Sequence, residues 1–299
     1  MNGIINIYKE KGYTSFDVVA ILRRKLKIKK VGHTGTLDPE AEGVLPVCIG
    51  KATKVADYIT DTTKTYLATM TLGIETDTED HTGEVISKKE VTSSKEQIEE
   101  AVNSFIGDYS QVPPMYSALK VNGKRLYKLA RQGKTIERKA RNIYIYNIDI
   151  IKIDGNNIDM KVECSKGTYI RTLCADIGTK LGCGAHMSKL IRTKSSLFSI
   201  NSSIKLEEVD YYIENNKLNE IVTSIDQVFP NYSKLVIHSR YDKFLYNGNK
   251  LKVESIKGNE DIINQMQYRI YDENNNFIGV YQSMIKDENM ILKPIKLFL

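Results

Sequence analysis

At 299 residues, with 41% hydrophobic and 27% charged side chains, the chain is long enough for one large domain and one small one, and its balance is not that of a disordered polypeptide. Its 43 Lys+Arg against 37 Asp+Glu leave a formal charge of +6, which favours a polyanionic partner only where the positives cluster. Four cysteines without CxxC spacing exclude a disulfide framework, no stretch approaches the roughly 18 apolar residues of a membrane span, and no signal-peptide pattern opens the chain, so a cytoplasmic protein with reduced thiols is expected.

Gly3 to Tyr8 is a short apolar strand candidate. Thr14 and Asp17 then have capping-box spacing, and Val18, Val19, Leu22 and Leu26 recur at helical intervals, which predicts an amphipathic helix ending near Leu26. Its basic end, with Arg23, Arg24, Lys25, Lys27, Lys29 and Lys30, suits either the helix dipole or phosphate.

The stretch 31–46, VGHTGTLDPEAEGVLP, places Gly32, Gly35, Gly43, two prolines and His33 around Asp38. Such a backbone is shaped for bends. Two readings stay open: a turn in a surface loop, or a carboxylate held rigidly for nucleophilic or acid/base work.

Val44 to Ile49 is apolar, and a helix is expected from Gly50 through Lys54 into Tyr58. Tyr66 to Leu72 alternates, with Tyr66, Ala68, Met70 and Leu72 on one face, so Tyr66 reads first as a packing tyrosine. Residues 77–84, DTEDHTGE, hold four carboxylates and a histidine, but Gly83 is one place too late for a calcium loop, which leaves an ordered polar loop. Ser94 and Gln97 have capping-box spacing for a helix over Ser94 to Phe105.

From Gln111 to Arg141 the chain carries Lys120, Lys124, Arg125, Lys128, Arg131, Lys134, Arg138, Lys139 and Arg141 against Glu137. This segment concentrates the basicity of the whole chain, the footprint of a nucleic-acid binder, with Tyr116 and Tyr127 available to stack on bases. A solvated basic face is the alternative. Prolines and glycines break the segment into an extended piece and one short helix.

Asn142 to Ile153 and Ile158 to Cys164 read as strands joined by the turn at Asp154 to Asn157. If Thr168 to Arg171 is extended, Tyr169 and Arg171 share a face, and Arg171 stands on a strand end before a helix spaced by Leu173, Ile177 and Leu181. His186 has no cysteine at metal spacing and reads as a structural histidine. A helix is expected over Leu206 to Leu218, and from about Asn231 short strands with Asn/Gly turns mark a small all-β domain.

The motifs at Gly32 to Pro39, Tyr116 to Lys120, Leu126 to Gly133, Lys166 to Thr172 and Gly182 to His186 together resemble the bacterial tRNA pseudouridine synthase B family, the tRNA pseudouridine(55) synthases, over nearly all of 1–230. The resemblance implies an α+β catalytic domain over 1–230 with a central, mainly antiparallel mixed sheet, and a small PUA-like RNA-binding domain over 231–299. It implies isomerisation of one flipped T-loop uridine of tRNA by a monomer, without cofactor, metal, membrane or obligatory protein partner.

On this match Asp38 is the catalytic aspartate, acting on ribose or base. Tyr66 stacks on the base and moves the C5 proton, Arg171 pairs with Asp38, Leu190 lines the pocket, and His33 holds the loop in its flipped state. Lys9, Lys54, Asp80 and Tyr169 join the substrate contacts, and Lys120, Lys124, Arg125, Lys128 and Arg131 grip the RNA backbone. An arginine within about 4 to 6 Å of a buried carboxylate lowers its pKa by roughly 1 to 3 units, and its planar fork can make two bonds to it. Lys9-Glu10 replaces a usual Lys-Pro pair, and Thr36 a common alanine.

Two rival readings fit the same residues. An RNA-binding or RNA-folding protein would have no need of Asp38. A glycoside hydrolase would need a second carboxylate flanking the bond, for which Glu42 and Asp80 are the candidates.

Overall fold

The computed structural model describes residues 1–121, 123–258 and 261–299. A ten-stranded sheet runs through the first part of the chain. Its order is Val222–Thr223, Gly3–Lys9, Glu42–Ile49, Ala185–Ser195, Lys64–Leu72, Asn157–Cys164, Arg141–Asp154 and Gly107–Gln111. Val31–His33 and Phe198–Ser199 pair on its flanks. Every pairing is antiparallel except that of Ala185–Ser195 with Glu42–Ile49, which makes the sheet mixed, as expected.

The alternation read from Tyr66 to Leu72 is the cause of the layering. Tyr66, Ala68, Met70 and Leu72 point into one core with Ile158, Met160 and Val162 of the next strand and Leu173 and Ile177 of the Ile170–Lys180 helix. Fully burying each such aliphatic side chain contributes about 1.5–3 kcal/mol, so the face cannot be turned to water. The Ser15–Leu26 helix closes a second core, with Val18, Val19 and Leu22 against Ile5, Ile7, Leu45 and Val47. Thr14 forms the anticipated capping box with Asp17, and Lys27 ends the helix at φ 54°. Ser94 caps Lys95–Asn103 in the same way. All four cysteines are free and buried.

A five-stranded sheet, Ser233–Val236, Gln267–Tyr271, Phe277–Lys286, Asn289–Leu297 and Leu251–Lys252, has its own core around Leu235, Ile270 and Leu292. It also includes the short Asp242–Tyr246 helix, so it is not purely β. Val280 and Phe298 pack with Ile4, Val44, Ile59 and Phe229, joining the two sheets through one apolar seam.

Three local expectations need correction. Gly50–Val55 is 3-10 before the helix proper, Ala56–Thr60. The helix expected over 206–218 stops at Glu214, because Asn216 takes a left-handed φ of 57° before a separate turn at Leu218–Ile221. No strand precedes Arg171; residues 165–169 form a turn, and Arg171 lies in the first turn of the helix.

Candidate active site

Stretch 31–46 is clamped from several sides. Leu37 N–H donates to the Ser15 hydroxyl at 2.8 Å, which donates back to the Leu37 carbonyl at 3.1 Å. Gly12 N–H reaches the Pro39 carbonyl, Thr60 the Thr34 carbonyl, and Thr34 the Pro46 carbonyl. Two backbone positions demand glycine. Gly43, at φ +104°, would place a Cβ 2.2 Å from the Arg192 carbonyl oxygen, and Gly35 has φ +147° beside the Arg192 guanidinium.

The loop holds Asp38 at the wall of a cavity of about 280 Å³, lined also by Lys64, Tyr66, Tyr116, Tyr169, Arg171 and Leu190. Arg171 Nε lies 3.0 Å from Asp38 Oδ2. Arg171 is 5% exposed, and the rest of its fork is spent elsewhere: Nη1 donates to the Thr78 carbonyl at 3.0 Å and faces Asp80 Oδ2 at 3.6 Å, and Nη2 donates to the Tyr116 carbonyl at 2.8 Å. The expected two-bond fork to Asp38 is therefore a single contact. One guanidinium instead ties together the 31–46 loop, the 77–84 loop and the start of the basic segment.

Burial sets the ionisation here. It pushes the Asp38 carboxyl above the usual carboxylate range even though Arg171 pulls the other way, which reverses the expected direction. Burial likewise raises the Tyr66 phenol, with Arg192 opposing it, and lowers the Lys64 ammonium to about 8.

The remaining expected residues divide by position. Tyr169 lines the cavity and is fixed by Gln111, which exchanges two hydrogen bonds with its backbone at 2.8 and 3.0 Å. Leu190 lines it from the Ala185–Ser195 strand. His33 does not; its Nδ1 accepts from Gly35 N–H, and burial and Arg192 lower its pKa. Asp80, 8% exposed, is also off the cavity: Oδ1 accepts from Thr78, Thr82 and the Thr82 N–H, while Oδ2 faces Arg171.

Lys9 needs correction as a substrate contact. It is fully buried, and its ammonium donates to the carbonyls of Glu10, Tyr13 and Pro39, so it braces the loop and presents nothing to a ligand. Burial lowers it to about 8. Lys54 donates to the Leu297 carbonyl at 2.9 Å across the seam between the sheets, away from the cavity. His186 is structural, its Nδ1 at 3.0 Å from the Ile74 carbonyl.

In the basic segment Lys120–Val121 pairs with Lys124–Arg125, and Leu126–Ala130 is the short helix. Lys120, Lys124, Arg125, Lys128 and Arg131 are exposed. Tyr116 faces the cavity, while Tyr127 sits under the Arg131 guanidinium at 5.6 Å.

Sequence reasoning missed Arg192, which is 2% exposed, and Lys64, both on the cavity wall. The signal was present: each lies two residues from a named position on a strand, Arg192 from Leu190 and Lys64 from Tyr66, and period two puts them on the same face.

The glycoside hydrolase reading ends here, since Asp38 is the one carboxylate on the cavity wall among the described residues. The fold is that of a pseudouridine synthase. Two similar solved structures are a Cbf5-Nop10-Gar1 complex, 27% identical with a TM-score of 0.73 over 99% of this chain and 85% of that one, and an archaeal box H/ACA sRNP Nop10-Cbf5 complex, 25% identical at 0.71 over 99% and 86%. The sequence model for the TruB family pseudouridylate synthase N-terminal domain matches residues 23–170, and that for the tRNA pseudouridylate synthase B C-terminal domain matches 171–229. A tRNA pseudouridine synthase B of Clostridium novyi is 53% identical over 94% of this chain and 95% of its own length. One of Lachnoclostridium phytofermentans is 48% identical over the whole of both. The chain belongs to the TruB family of pseudouridylate synthases, isomerases that make pseudouridine in tRNA.

Proposed function

We propose that the substrate is uridine 55 in the T-loop of tRNA and that Asp38 is the catalytic aspartate. The Asp38–Arg171 contact at the wall of a tyrosine-lined cavity carries this reading. A base inside a folded loop is reached only by extrusion, at a cost of a few kcal/mol. The cavity offers the extruded uracil an aromatic wall in Tyr66, Tyr116 and Tyr169 and an apolar one in Leu190. Tyr66 stacks on the base, and Arg171 holds Asp38 aimed at it.

The exposed cations Lys120, Lys124, Arg125, Lys128 and Arg131 supply the grip on phosphate that offsets the extrusion cost. His33 and Lys9 keep the loop in shape. The C-terminal five-stranded unit, about 231–299, acts as a PUA-like RNA-binding domain and the rest as the catalytic domain. The enzyme works as a cytoplasmic monomer without a cofactor.

The test is incubation with unmodified tRNA followed by chemical mapping of pseudouridine. Product at the T-loop uridine is expected, and its loss in Asp38→Asn with tRNA binding retained. An Asp38→Asn variant that still made product would sink the assignment.

A further inference from the structure

Among the described residues Arg192 is the largest fully buried side chain. Its Nε donates to the Val44 carbonyl at 2.7 Å and Nη2 to the Gly35 carbonyl at 3.2 Å. Among the described residues no carboxylate lies within ion-pair distance of it. Lys64, on the same wall, is held likewise by the carbonyls of Thr60 and Thr62. The other two cations there are matched, Arg171 by Asp38 and Lys166 by Asp61. An uncompensated buried cation is costly, several kcal/mol after relaxation, and persists where something else brings the negative charge.

The register says where that charge falls. Arg192 stands opposite Tyr66 across adjacent strands, so its guanidinium shares the face on which Tyr66 meets the base. It is two residues from Leu190 on the same face.

We propose that Arg192 is a further catalytic residue, whose guanidinium stabilises the negative charge the uracil ring takes on when its bond to C1′ breaks. The inference rests on the base-flipping reading of this cavity. In that step the electron pair of the C1′–N1 bond leaves with N1 and spreads over the ring carbonyl oxygens. Electron-poor C1′ is taken by the Asp38 carboxylate. The turned ring then returns an electron pair from C5 to C1′, which expels Asp38, and the C5 proton ends on N1. A fixed donor in a water-poor site is worth most where charge develops, and removing one such donor costs about 10²- to 10³-fold in rate.

The test compares wild type with Arg192→Gln under single turnover, on tRNA carrying either uridine or 5-fluorouridine at the target. Fluorine withdraws electrons and makes the ring anion easier to form. The expected result is a loss of about 10²-fold or more on uridine, a clearly smaller loss on 5-fluorouridine, and little change in tRNA Kd. Conversion of the fluorinated nucleoside is read after digestion.

An equal loss on both substrates would mean that Arg192 only props the loop through Gly35 and Val44, and overturns the proposal. A weaker Kd with a flatter salt dependence and an unchanged rate at saturation would assign it to a phosphate, and overturns it too. If wild type makes no pseudouridine at all, the parent reading has failed rather than this one. Should the glutamine variant not fold, Arg192→Lys is read the same way: it keeps a charge at the site, and its smaller loss must still shrink on the fluorinated substrate.

Discussion

Replacing Arg171 by lysine keeps the charge and removes the fork, so it asks whether geometry or charge holds the site. The guanidinium makes three close contacts, to Asp38 at 3.0 Å, Thr78 O at 3.0 Å and Tyr116 O at 2.8 Å, with Asp80 at 3.6 Å beyond them. A lysine ammonium is a compact point charge and can satisfy Asp38 or the carbonyls, not both. Two half-buried carbonyls without a donor cost roughly 1 kcal/mol each, while full removal of Arg171 also leaves Asp38 unpaired, at less than the about 3–5 kcal/mol of a fully buried pair because the Asp38 side chain is 40% exposed. Retained charge puts Arg171→Lys between these, at about 2–3 kcal/mol.

Urea unfolding measures that loss as a lower midpoint at unchanged slope. The rate should fall further than stability suggests, by about 10²-fold or more, because a displacement of about 1 Å of a reacting group is enough for that. Single-turnover pseudouridine formation at saturating tRNA reads it. A variant within about 0.5 kcal/mol of wild type, the usual range of neutral surface changes, and with near-normal turnover would refute the view that the fork organises the three loops.

Charge reversal at Arg125 and Lys128 together should weaken tRNA binding and reduce the slope of log K against log salt by about 0.9 per lost phosphate contact, leaving turnover at saturation alone. An unchanged slope would return these side chains to a solvated face. Gly43→Ala drives a Cβ to 2.2 Å from the Arg192 carbonyl at φ +104°, so a loss of about 2 kcal/mol or more is expected by thermal or urea unfolding, with activity falling in step. Lys9 titrates at about 8 in the fold but near 10.4 when unfolded, so the unfolded chain binds more protons across that window. Stability of wild type relative to Lys9→Met should therefore rise from pH 8 to about 10.4. Parallel urea midpoints over that range would count against a Lys9 ammonium that the fold desolvates.

Much of this protein is written locally. The capping boxes at Thr14 and Ser94, the alternation from Tyr66 to Leu72 and the turn after Asp154 each depend on residues within a few positions, and each forms where the pattern puts it. The glycines around Asp38 marked a shaped loop for the same reason, since positive φ is a property of the single residue. The helix at Ile170, where a strand was expected to end, shows the limit of that logic: Tyr169 is fixed by Gln111, 58 positions away, and no local spacing reports it.

What sits around Asp38 was decided by tertiary structure. Arg171, Asp80 and Tyr116 come from three separate segments and meet because the sheet order brings the Lys64–Leu72 strand beside Ala185–Ser195 and the helix folds over both. The direction of the Asp38 shift also belongs here, because desolvation depends on how many groups exclude water and not on which residue is nearest in sequence. Lys9 and Arg192 make the same point from opposite sides. Composition treats both as surface cations, and packing makes one a brace for the loop and leaves the other facing the cavity with no counter-charge among the described residues.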